Sequence, residues 1–183
     1  MRLPAMMLLT CVIAGCGGIA SSGTPSATTS AQDRYQHQIP AFGGRLLGSD
    51  HGEWGGRLSF QYDDGTLVRL LDTNVVGLHR MPFGVVVVTG FWHLRADDGK
   101  LLLVTRNGDR KLRVDVIAVL PHAAVKSWQR KDGSLDIVML DKDIEPRDGK
   151  WAFQCVHLLP DRRVEPMLCP QPEGDPMLVT MGE

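Results

Sequence analysis

The sequence has no excess of charge of either sign: 20 lysines and arginines stand against 21 aspartates and glutamates, a formal net charge of −1 over 183 residues. Such a balance supplies no general attraction to polyanions or to membrane surfaces. One basic run, Arg106, Arg110, Lys111 and Arg113, is interrupted by Asp109 and Asp115. It reads as a solvated face, and no nucleic acid partner is expected. Long apolar runs are also missing. The N-terminal stretch at residues 3–15 is thirteen residues long, too short at about 1.5 Å per residue to cross a hydrocarbon layer of about 30 Å. A permanent transmembrane helix is thereby excluded there.

Signatures of chemistry are equally sparse. No glycine-flanked serine elbow, no pair of helical histidines with a glutamate and no phosphate-cradling glycine loop occurs, which argues against nucleophilic hydrolases, zinc peptidases and nucleotide enzymes. The six histidines, His37, His51, His79, His93, His122 and His157, stand singly. His51 with Asp50 and Glu53 could gather in space, but no close ligand spacing marks a zinc site. Asp141, Lys142, Asp143, Ile144 and Glu145 form the densest charge cluster. It lacks the glycine and spacing of a calcium-binding EF-hand loop and reads as a solvated connection. No catalytic residue, metal or cofactor is expected.

What is present begins with an address. Met1 and Arg2 precede the apolar stretch, which ends in Ile13, Ala14, Gly15 and Cys16. A branched apolar residue, two small residues and a cysteine resemble the lipobox of bacterial lipoproteins. The resemblance covers the first 16 residues and implies a signal peptide cleaved before Cys16, with Cys11 leaving in it. It also implies a diacylglycerol thioether on Cys16 and an acyl group, such as palmitate, on its amine. Several chains together anchor firmly where one binds marginally. Gly17 stands where an aspartate would signal inner-membrane retention, which directs the expectation to the outer membrane, in the periplasm-facing or exterior envelope. Residues 17–32 are almost wholly Gly, Ser, Thr, Ala and Pro, the composition of a flexible tether. The chain thus divides into a signal peptide at 1–15, a lipidated cysteine and tether at 16–38, and one domain at 39–183.

Apart from Cys16, the mature chain would keep two thiols, Cys155 and Cys169. In an oxidising compartment such a pair defaults to a disulfide. A hairpin turning at about Asp161 and Arg162 would set the two facing one another across the strands. Closing a loop of about 15 residues contributes about 3 kcal/mol on the chain-entropy estimate.

Past the tether one pattern recurs every 34 residues: Asp64-Gly65, Asp98-Gly99 and Asp132-Gly133, each followed by a polar residue and a leucine. Asp-Gly between β-rich flanks is a strong hairpin signal. A three-residue loop at Asp63, Asp64 and Gly65 sets Phe60 opposite Val68 and Leu58 opposite Leu70. The same register around Asp97, Asp98 and Gly99 sets Trp92 opposite Val104 and Leu94 opposite Leu102. A two-residue loop in the third copy sets Trp128 opposite Ile137. Residues 84–88, a glycine and four valines, read as a central core strand, and no convincing helical period follows residue 40. The expected fold is all-β, an antiparallel meander of repeated hairpins arranged as a small sandwich or barrel, or as short propeller-like sheets.

Four tryptophans remain to be placed. Trp92 and Trp128 pair with aliphatic residues in these hairpins and read as core. Trp54 lies in Gly52, Glu53, Trp54, Gly55, Gly56, where flanking glycines expose a side chain or admit another backbone. With His51 it forms the candidate contact surface. The expected function is a noncatalytic protein-binding module on an envelope lipoprotein. Two forms suit its address and size: an immunity or inhibitor protein, and an accessory subunit of an envelope complex. The alternatives are a glycan-binding module, requiring an exposed tryptophan, and a wall-acting enzyme, requiring a cleft with two titratable groups of displaced pKa.

Overall fold

The computed structural model describes residues 35–169 except 109, 110 and 148. The segments expected to be a signal peptide and, for the most part, a tether, with Cys16 between them, therefore lie outside the described residues. Twelve strands make three four-stranded sheets. The first holds β1 (His37–Pro40), β2 (Gly44–Ser49), β3 (Arg57–Tyr62) and β4 (Leu67–Leu71). The second holds β5 (Val75–Met81), β6 (Gly84–His93), β7 (Ala96–Arg106) and β8 (Leu112–Leu120). The third holds β9 (Ala124–Gln129), β10 (Leu135–Asp141), β11 (Ala152–Leu158) and β12 (Val164–Met167). Strands neighbour one another in chain order and run antiparallel throughout. The fold is the expected all-β meander, and β1 begins at His37, just ahead of the boundary expected at residue 39.

The second sheet is the middle layer, and its sequence shows why. Val85, Val86, Val87 and Val88 pair with Val104, Leu103, Leu102 and Leu101 across β6 and β7. Successive strand residues point to opposite faces. Val86, Val88 and Leu101 accordingly join a core with Ile137, Met139 and Leu158 of the third sheet. Val85, Val87, Leu102 and Val104 join another with Leu46, Leu58 and Phe60 of the first. A sheet buried on both faces reads as unbroken apolar runs, and burying each such side chain contributes roughly 1.5–3 kcal/mol. The first strands also meet: β5 lies against β1 on one side and β9 on the other. The opposite edges, β4, β8 and β12, are the last strands of their sheets.

The hairpin repeat is half right. In the first copy Tyr62 N donates to Thr66 O, Gly65 adopts φ 86° and Phe60 faces Val68 as expected. A bulge then moves the partner of Leu58 from Leu70 to Leu71. The third copy has the same three-residue loop rather than the expected two-residue one: Arg130 N donates to Ser134 O and Gly133 adopts φ 85°. Trp128 consequently faces Asp136, not Ile137.

The second copy is no turn. The chain reverses at Leu94 and Arg95, with His93 paired to Ala96, so Asp98 and Gly99 lie inside β7. Trp92 faces Asp97 instead of Val104. Two forces set this register. It aligns the valine run of β6 with the leucine-rich run of β7, and it places Gly99 opposite Gly90. A Cβ on Gly90 would lie 1.9 Å from Ala124 O, and one on Gly99 2.1 Å from His122 O. These glycines admit the backbone that leads into the third sheet.

The disulfide between Cys155 and Cys169 is present, with Cα atoms 5.1 Å apart. Its cysteines are not directly opposed. A three-residue loop of Pro160, Asp161 and Arg162 centres the hairpin on Asp161, so Cys155 faces Met167. Cys169 lies past the end of β12 and reaches back diagonally. The bridge joins a small outer cluster with Val138, Trp128, Phe153 and Met167. Trp128 thus packs on the outer face of the third sheet.

Candidate contact surface

Between β2 and β3 the chain makes a single 3-10 turn, Gly52–Trp54, none of whose residues is buried. Local bonds hold it from several sides. Asp50 accepts from Gly52 N through Oδ1 at 2.8 Å, while its backbone N and O bond the Gln36 side chain at 3.0 and 3.1 Å. Asn74 Nδ2 donates to Gly52 O at 2.7 Å, and Thr73 N donates to Gly56 O at 3.2 Å. Glu53 lies 3.0 Å from His93 Nδ1 at the end of β6. Gly56 seats the turn closely: a Cβ there would lie 2.1 Å from Ser49 O and 2.6 Å from Asn74 Oδ1.

The result is a fixed loop presenting a free indole. Trp54 is 86% exposed and His51 is exposed. Both line an open depression of about 430 Å³ with Tyr35, Arg57, Leu67 and Arg69. Leu67 and Arg69 belong to β4, an edge strand whose Leu67, Val68 and Leu71 are also exposed. The two residues singled out in the sequence are therefore side by side on the surface, framed by two arginines and the Arg69–Asp72 pair. Such a site can bury an aromatic ring against a partner and bond its polar rim.

Both tryptophans read as core depart from that expectation: Trp128 is half-buried in the outer cluster, opposite Asp136. Trp92 is 42% exposed rather than core, and meets Trp151, 37% exposed, edge-on at 5.3 Å between ring centroids. In the register that forms, Trp92 faces Asp97 near the tip of the hairpin, away from the valine run expected to cover it.

The groups with displaced ionisation lie elsewhere. Burial, followed by the charge of His37, pushes the His79 imidazole down to about 4. Burial lowers His37 as well, against the opposing pull of Asp50. His79 Nε2 lies 2.8 Å from Ser127 Oγ, joining β5 to β9. Gly77 leaves room for that bond, since a Cβ there would lie 2.3 Å from Ser127 Oγ. The pair links two sheets.

Two buried polar clusters escaped sequence reasoning, because their members are scattered along the chain. On the outer face of the third sheet, buried Asp136 accepts from Arg130 Nε at 2.7 Å and pairs with His157 Nδ1 at 2.6 Å. Where β7 meets the third sheet, His122 lies between Asp97 and Asp141, all three well buried. Asp141, at the head of the segment expected to be solvated, is buried because it closes β10. Asp143 stays exposed. The grouping of His51, Asp50 and Glu53 is not the one that forms: Asp50 serves the turn and Glu53 faces His93. Comparison of the chain with protein-family models, curated proteins and solved structures finds no match.

Proposed function

We propose that this chain is an exported envelope lipoprotein, anchored through Cys16, whose β-domain holds a protein partner without catalysing a reaction. The observation that supports this reading is Trp54, an 86% exposed indole on a turn fixed by Asp50, Asn74 and Gly56. Tryptophan and arginine are the residues most enriched among those that dominate binding energy at interfaces. A side chain held in place before binding loses little freedom on contact. Here one exposed tryptophan stands beside Arg57 and Arg69 in a shallow depression. The immunity form and the accessory-subunit form both use such a surface, and the identity of the partner decides between them.

A glycan-binding module is the second reading, favoured by the exposed Trp92 and Trp151 pair. One experiment weighs both. The full chain, extracted from bacterial envelopes in detergent, serves as bait beside its Trp54→Ala variant. A stoichiometric protein captured by the parent and lost from the variant supports the binding reading. Equal capture by both, or retention of purified peptidoglycan instead of protein, overturns it. Metabolic labelling with a fatty acid, abolished by Cys16→Ser, checks the anchor in the same cells.

A further inference from the structure

His122 carries a carboxylate on each side, and the two sides differ. Its Nδ1 lies 2.9 Å from Asp97 Oδ2, a normal charge-assisted hydrogen bond. The other Asp97 oxygen accepts from Ala123 N at 2.6 Å, and Lys142 Nζ lies 3.7 Å from Oδ2. Asp97 is thus held and partly neutralised, and Nδ1 is the ring's donor. In the neutral ring with its proton on Nδ1, the Nε2 lone pair faces Asp141 Oδ1, 3.5 Å away. The separation is wide for a bond between charged partners; His157 and Asp136 in the same molecule meet at 2.6 Å. Gln154 Nε2 donates to Asp141 Oδ2 at 2.8 Å and reaches His122 Nε2 with a longer contact of 3.4 Å, which an incoming ion would displace. Asp143, whose N donates to Asp141 Oδ1 at 3.1 Å, completes the group. Ligand atoms of His122, Asp141 and Asp143 all lie within 4.8 Å of one another.

Two acceptor atoms face each other here at the spacing of two ligands on one small cation. A tetrahedral zinc ion at about 2.0–2.1 Å from each ligand holds its donors about 3.3 Å apart. The outer nitrogen of a metal-bound histidine is almost always bonded to a carboxylate or carbonyl, the role Asp97 fills. We propose that His122 Nε2, Asp141 and Asp143 bind a divalent transition metal of the zinc class. Asp97 acts as the positioning residue, and a water takes the remaining coordination place. The imidazole selects this class over calcium or magnesium, which prefer oxygen alone. Exposed Asp143 is the side from which the ion enters. The ion would fasten the β10–β11 connection to the β8–β9 connection and, through Asp97, to the second sheet.

The test is calorimetric titration of zinc chloride into the untagged, metal-stripped full chain in detergent. One saturable ion per chain is expected. Asp143→Asn, a surface change, weakens it at least tenfold, and Asp97→Asn, which removes no ligand, weakens it roughly 10- to 100-fold. Trp54→Ala leaves it unchanged, which separates this site from the contact surface. Absence of a saturable site overturns the proposal, as does unaltered binding by Asp143→Asn. A nitrogen-15 spectrum of the zinc-saturated protein showing a proton on His122 Nε2 does so independently.

Discussion

At the scale of single residues, Arg162 occupies a place that its counterparts give to glycine. The loops at residues 63–65, 131–133 and 160–162 share one construction, in which an aspartate in the middle accepts from the backbone two residues on. The third position has positive φ: 86° at Gly65, 85° at Gly133 and 76° at Arg162. A side chain in that region costs about 1–2 kcal/mol. Arg162 recovers part of this by lying over the Phe83 ring at 4.8 Å, worth about 0.5–1 kcal/mol at an exposed site. The first number exceeds the second. Arg162→Gly is therefore expected to stabilise the protein by roughly 0.5–1 kcal/mol, and Gly133→Ala to destabilise it by about 1 kcal/mol, in urea unfolding. Nothing lies within 4 Å of a Cβ built at Gly133, so that loss is purely conformational. A loss of stability in Arg162→Gly would show that the ring contact outweighs the backbone strain.

Elements were legible in proportion to how locally they are determined. Residues 63–65 announced their loop because aspartate and glycine bend the chain by their own preferences. The run Val85, Val86, Val87 and Val88 announced a doubly buried strand because nothing in it can face water. Asp98-Gly99 has the same letters and a different cause: its glycine answers to His122 O, a backbone atom of the segment entering another sheet. No local pattern carries that information. The diagonal of Cys155 and Cys169 depends likewise on a one-residue shift of the hairpin's centre, from Arg162 to Asp161. The exposed turn at Trp54 was readable from its glycines, whereas the cluster at His122 was not, since His122 and Asp97 of β7 reach the Asp141–Asp143 segment from distant parts of the chain. Gly90→Ala is the prediction at this scale. Its Cβ would meet backbone at Ala124, which cannot rotate away, so the change is expected to cost several times the roughly 1 kcal/mol of an ordinary glycine substitution. Thermal unfolding of the variant measures it, and a melting temperature near that of the parent would disprove the close approach.

For the whole molecule, the seam where β5 lies against β1 and β9 makes stability depend on pH. An unfolded imidazole titrates near 6.5, whereas His79 in the fold titrates near 4. Between those values the unfolded chain binds a proton that the folded chain refuses, so acid favours unfolding. The stability is complete above pH 6.5 and falls as pH drops toward 4. The loss from His79 is on the order of 3 kcal/mol, and the lowered His37 acts in the same direction. Urea unfolding at pH 7, 5.5 and 4.5 should show the fall, and His79→Gln should flatten it. An equally steep fall in that variant would place the titrating group elsewhere. The entry of the chain into the first sheet has a mechanical consequence too. A pull arriving from the N-terminal side meets β1 at His37, the open end of its ladder with β2, so the rungs yield in sequence instead of together. Just before that point Gln36 grips Asp50 by two bonds, and Asp50 in turn holds the turn that carries Trp54. A force entering at that end is thereby transmitted to the turn that carries Trp54, two hydrogen bonds away.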